Sequence, residues 1–142
     1  MNFELILNLI TNFLGVVAII LSTWAFIIST RNSTYSDLDN GYNEILKIGI
    51  EYPKFRNIKF TQNYKNTFDA EDIIRYENYA FMTMNFCETI FDKAKKDKRL
   101  FNTWLPAIIN EYKIHKTWVN DPETEDLYKD EFKNYLKSIN NN

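Results

Sequence analysis

The chain has 142 residues, room for one domain, and its 17 basic and 19 acidic residues nearly cancel. One histidine and one cysteine leave no four-ligand zinc site and no internal disulfide, and three unclustered glycines form no phosphate-cradling loop. No cofactor and no metal are expected, most common enzyme classes fall away, and the lone Cys87 fits a reducing compartment.

The charge is unevenly placed. Glu4 is the one charged residue among the first thirty, and no charge occurs from Leu5 to Thr30. Leu5 to Ile28 is about 36 Å long as a helix at 1.5 Å per residue, enough to cross roughly 30 Å of hydrocarbon with some tilt. A cleaved signal peptide would carry a basic segment before a shorter apolar run, whereas Met1 to Glu4 contains no Lys or Arg. Residues 1–30 are therefore expected to be a transmembrane helix. Arg31 follows it at once, with Lys47, Lys54 and Arg56 further on, so the positive-inside rule puts the N-terminus outside. Residues 31–142 then face the cytoplasm, in a single-pass protein of the cell inner membrane. Trp24 sits where an indole reaches the interface.

Within this apolar run the small and polar residues share one heptad seam. With Asn8 at an a position, the a and d positions are Asn8, Thr11, Gly15, Ala18, Ser22, Ala25 and Ser29. Leu, Ile, Val and Phe occupy most other positions. Helices in lipid associate through close backbone approach and interhelical hydrogen bonds, which such residues permit, and a period of 3.5 favours left-handed packing. A simple anchor tolerates weakly polar residues too, but their register favours self-association. A dry contact and the wall of a wet pore both fit the seam, and Asn8 and Asn12, one turn apart, suit either. The expected partners are thus the lipid bilayer and further copies of the chain.

Residues 31–41 read as a short polar connector, which can also continue the helix, and residues 42–142 as a helical domain. Tyr42, Ile45, Leu46, Ile48 and Tyr52 have helical spacing, and that helix should stop before Pro53. Residues 53–68 show no clean period and read as a loop with one helical turn. Asp69 is a good N-cap, with Asp72 adding to an acidic first turn, for a helix running to about Lys96. Its middle, YENYAFMTMNFCETIF, is apolar on several faces, as a central core helix is. The next helix spans the stretch from Leu100 to Asn120, with Pro106 near its first turn or kinking it. Asp121-Pro122 supplies an N-cap with proline at N1 to a last helix carrying Leu127, Tyr128, Phe132, Tyr135, Leu136 and Ile139. No segment alternates as a strand, so the fold class is all-α: one N-terminal span followed by a four-helix-type cytoplasmic bundle.

His115 is the most conspicuous candidate for chemistry. Glu111 lies four residues before it on the same face and can hold the imidazole; Asn110 precedes it by five. Glu88 is the one charged residue between Asn78 and Phe91, so it should be partly buried beside a partner such as His115, Arg75 or a lysine. These four residues support either an acid/base pair or a satisfied polar cluster that locks two helices. Nothing else in the chain completes a catalytic set. Arg56, just after the Tyr52-Pro53 turn, is placed to cap a neighbouring helix. Lys93, Lys95, Lys96, Lys98 and Arg99 put five bases in seven residues near a helix end. They suit RNA phosphates or anionic headgroups, or a solvated helix end that complements the dipole. The acidic DPETEDLYKDE lacks the glycine and ligand alternation of a calcium loop.

YPKFR, YENYAFMTMNFCETIF and the pattern Trp104-x-Pro106…Glu111-x3-His115-x2-Trp118 together resemble a group of small bacterial proteins with one N-terminal span and a helical cytoplasmic domain. The likeness covers roughly residues 42–139. The layout also resembles the membrane-anchored, HEPN-like accessory protein of type VI-B CRISPR systems. That resemblance implies a HEPN-like bundle and an oligomer that perturbs the membrane or forms a pore, supporting antiviral defence by depolarisation. RNA or a component of the defence system would be a further partner. The HEPN ribonuclease motif places an Arg four to six residues before its His. Here position 110 is Asn, and the nearest upstream arginine is Arg99. A pore or scaffold is accordingly expected, with RNA binding or cleavage through His115, or a tethered adaptor, as the alternatives.

Overall fold

A computed structural model describes residues 2–95 and 97–139, the side chains of residues 5 and 125 excepted. Every regular element among them is helical. No proline occurs before Pro53, and helix α1 runs unbroken over Phe3–Glu51. The polar stretch 31–41, read above as a connector, is thus helical throughout. Threonines bond back into the helix here: Thr30, just before the stretch, and Thr34 within it donate to the carbonyls of Phe26 and Thr30, at 2.9 and 3.0 Å. Tyr52, forced out of the helical region by Pro53 (φ −119°, ψ 74°), ends α1 where the sequence places the stop.

Contacts divide the chain into two units, one ending at Leu38 and the other beginning at Asp39, with α1 passing through both. The first unit is helix alone. It is long and apolar enough to cross a membrane: its best 18-residue window has mean hydropathy 2.2 and is 0% buried. Leu9, Phe13, Ile20, Trp24 and Phe26 are each more than half exposed.

The second unit holds the core. After α1 come a 3-10 turn at Pro53–Arg56 and two single-turn helices, α2 (Ile58–Thr61) and α3 (Tyr64–Thr67). The segment expected to be mostly loop is therefore three short helical turns. Asn57 accepts from the Lys59 N–H to start α2. Asp69 accepts from the Asp72 N–H at 2.8 Å and starts α4 (Ala70–Ala94), as its sequence predicts. Tyr76, Ala80, Met84, Cys87, Ile90 and Ala94 form the buried stripe of α4. Helix α5 (Lys98–Val119) packs along it, capped by Asp97, whose side chain accepts from the Arg99 and Leu100 N–H groups. Pro106 lies well inside α5 rather than in its first turn. Pro106 cannot donate to the Asn102 carbonyl, and both residues are exposed.

The last expected helix is two elements. Asp121 caps a 3-10 helix at Pro122–Leu127, Tyr128 is extended (φ −125°, ψ 153°), and α6 occupies Asp130–Ile139. The break is held from outside: the Glu88 carboxylate on α4 accepts the Lys129 N–H at 2.9 Å. Phe132 and Leu136 of α6 are buried, and Phe91 packs on Phe132 and Tyr135 at ring separations of 5.5 and 4.9 Å.

Candidate functional site

The buried stripe of α5 is Leu100, Trp104, Ile108, Glu111, Tyr112, His115 and Trp118. Glu111 and His115 thus stand on the core face, each with 0% exposure. A carboxylate there requires partners, since an unpaired buried charge costs several kcal/mol. Two elements supply them, and a third orients the cation. Arg56, at the end of the 3-10 turn, donates through Nη2 to Oε1 at 2.6 Å and through Nη1 to Oε2 at 3.2 Å. Tyr42 of α1 donates to Oε1 at 2.7 Å. Tyr79 of α4 accepts from Arg56 Nη1 at 3.1 Å.

Two local features aim the guanidinium. Phe55, 2% exposed, stacks on Tyr52 and meets Phe68, Tyr76 and Tyr79, which pins the turn against α4. Gly49 leaves the space the arginine stem occupies: a Cβ there would lie 2.3 Å from Arg56 Cδ and 2.9 Å from the Tyr79 hydroxyl. No described glycine has positive φ, so Gly49 is needed for room. Arg56 therefore meets a side chain in the middle of α5 rather than the end of a helix.

His115 completes the cluster. Its Nδ1 lies 3.1 Å from the Tyr76 hydroxyl and its Nε2 3.7 Å from Glu111 Oε2. A carboxylate only accepts, while a phenol can donate, so the favoured neutral tautomer carries its proton on Nε2 and accepts from Tyr76 at Nδ1. Burial, with the Arg56 charge adding to it, pushes the His115 pKa down to about 3. Burial also drives Tyr42 up to about 12, helped by its bond to Glu111. Burial opposes the charge on Arg56, but its bonds to Glu111 and Tyr79 outweigh that and raise its pKa. The result is an Arg56–Glu111 ion pair beside an imidazole that burial keeps neutral near neutral pH. General acid/base work favours a pKa near the operating pH and requires reach to a substrate. This histidine has neither in the closed fold.

Of the four candidates for chemistry, Glu111 and His115 come together. Asn110 is exposed, and half-buried Glu88 belongs to the α4–α6 junction. Arg75 is engaged by Glu71 and by Asp72 at 3.5 Å. The decisive partner is Arg56, expected from its place after the turn to cap a helix and found instead on Glu111. The signal that finds it is the interruption of an apolar stripe by Glu111, which demands a cation from elsewhere in the chain.

The remaining candidates are on the surface. Lys93, Lys95, Lys98 and Arg99 are exposed around the α4–α5 turn, and Lys96 lies outside the described residues. Lys95 pairs with Glu131 and, at 3.2 Å, with Asp92. In the first unit the seam residues Asn8, Thr11, Asn12, Gly15, Ala18, Ser22, Ala25 and Ser29 are all exposed. The Thr11 hydroxyl donates to the Leu7 carbonyl at 2.9 Å, and a Cβ added at Gly15 meets nothing within 4 Å. No group of three or more His, Cys, Asp or Glu suited to a metal occurs among the described residues.

Fold and site define a class: an all-helical protein with one helix of membrane-spanning length and apolarity, and a helical unit tied by a buried Arg–Glu ion pair with a neutral histidine beside it. Comparisons with protein-family models, with curated proteins and with solved structures return no match for the chain.

Proposed function

We propose that this chain is a single-span inner-membrane protein, its helical domain in the cytoplasm, that self-associates through the span and perturbs the membrane as a pore-forming oligomer. The observation that carries this reading is the register of small and polar residues from Asn8 to Ser29, exposed along with the rest of a helix that has no buried residue in its most apolar window. Backbone approach along such a seam is the main source of helix affinity in lipid. The resemblance to membrane-anchored, HEPN-like defence proteins supports a role in antiviral defence. The closed burial of His115 weighs against RNA cleavage.

The test is Gly15→Leu and Ser22→Leu in the full chain, read by crosslinked size in detergent and by ion leakage on expression. Because a side chain at position 15 meets nothing within the chain, loss of the oligomer there reports on a neighbouring copy. Reduced oligomer and reduced leakage are expected. Unchanged oligomer size in both variants overturns the reading. RNA loss on expression that disappears in His115→Ala would favour the nuclease alternative instead.

A further inference from the structure

The α3–α4 and α5–α6 ends of the helical unit share a groove. Glu77 and Phe81 of α4 form one wall, and Trp118, Asp121, Glu123 and Leu127 the other. Phe81 and Leu127 are 38% and 45% exposed, and exposed apolar surface set among carboxylates marks a docking site. The groove already shows which chemistry it takes. Lys65 reaches its edge, pairs with Asp121 at 2.6 Å and lies 5.9 Å from the centre of the Tyr64 ring. A lysine held between an acid and an aromatic face gains from both.

The matching surface is on the same molecule. The α4–α5 turn presents Lys93, Lys98 and Arg99, all exposed and with no ion pair among the described residues. Glu77 and Lys93 are on one helix, about 24 Å apart at 1.5 Å per residue, so a chain cannot place its own turn in its own groove. We propose that the occupant is a second copy: the basic turn of one chain docks in the acidic, aromatic groove of its neighbour. Complementary charge sets the register and long basic stems lie on Phe81 and Leu127. Groove and turn are different patches, so the contact is heterologous and propagates around a ring when its rotation closes. This deepens the oligomer reading above and rests on it, naming the contact made outside the span.

The experiment uses the full chain in detergent and in nanodiscs. One copy carrying Glu123→Cys, in the groove wall, is co-expressed with one carrying Lys98→Cys, and a short bifunctional thiol reagent is applied. A mixed dimer is expected. Reversing the groove (Glu123→Lys) or the turn (Lys98→Glu with Arg99→Glu) should each weaken association about tenfold, and combining both reversals in one chain should restore it. An acid at the first positions of α5 suits that helix end, so the turn variant keeps its fold. Absence of the mixed crosslink while the wild type stays oligomeric overturns the docking and leaves the span contact standing. A monomeric wild type overturns both. A groove that captures a foreign basic protein while copies fail to crosslink also overturns it.

Discussion

The Arg56 guanidinium grips the Glu111 carboxylate with two hydrogen bonds, 2.6 and 3.2 Å long, across 55 residues of sequence. The carboxylate is fully buried and the arginine side chain 20% exposed. The pair therefore joins the turn after α1 to the middle of α5, while Tyr42 and Tyr79 tie in α1 and α4.

Removing the arginine strands a buried charge. Arg56→Ala should cost about 3 kcal/mol, because Glu111 cannot reach water. Arg56→Lys, with one charge but no fork, should recover only part of this. Replacing both partners by methionine should be milder than Arg56→Ala alone. Denaturant unfolding of the solubilised full chain, followed by circular dichroism, measures all three.

Gly49→Ala should be destabilising although alanine is the better helix former by about 1 kcal/mol. Its Cβ would sit 2.3 Å from Arg56 Cδ, and displacing that stem loosens the ion pair, for a net loss of about 1–2 kcal/mol. Gly41→Ala, where the nearest atom is Phe86 Cε2 at 3.1 Å, should be gentler. An alanine at 49 as stable as glycine would show that Arg56 has room to spare.

Acid should unfold the helical unit through His115. Its folded pKa, about 3, lies below the ordinary 6.5, so the unfolded chain binds more protons between those values. The contribution is complete above about pH 6.5 and is lost as pH falls toward 3, at up to about 1.4 kcal/mol per unit. Arg56, Glu111, Tyr76 and Tyr79 face the ring, and burial, with the Arg56 charge adding to it, is what resists a charge there. His115→Gln should flatten the stability profile between pH 6.5 and 4.5. Below that, Asp92, Asp121 and Asp130, held below the usual carboxylate range by lysine partners, add their own losses.

Cys87 is 1% exposed, and burial pushes its thiol well above the ordinary range. Thiolate is the reactive form. Alkylation at pH 8 should proceed only as fast as the unit opens and become rapid in denaturant. Immediate labelling of the native chain would place this face of α4 in solvent.

Local chemistry in the sequence determined where α1 ends, where α4 begins and where the segment after α5 turns. The apolar run from Leu5, the stop before Pro53, the cap at Asp69 and the Asp121-Pro122 start act within a few residues, and so does the stripe that makes α4 a core helix. Such signals are legible because each is closed inside one turn or one helical period. Tertiary structure alone decided that Arg56 answers Glu111, that Gly49 must be small, and that His115 stays neutral. It also decided that Glu88 splits the last helix at Lys129. Each of these depends on groups brought together from different elements, and no local period records which cation a buried carboxylate will find. Glu111 and His115 on the apolar face of α5 announce that a partner must exist; only packing names it.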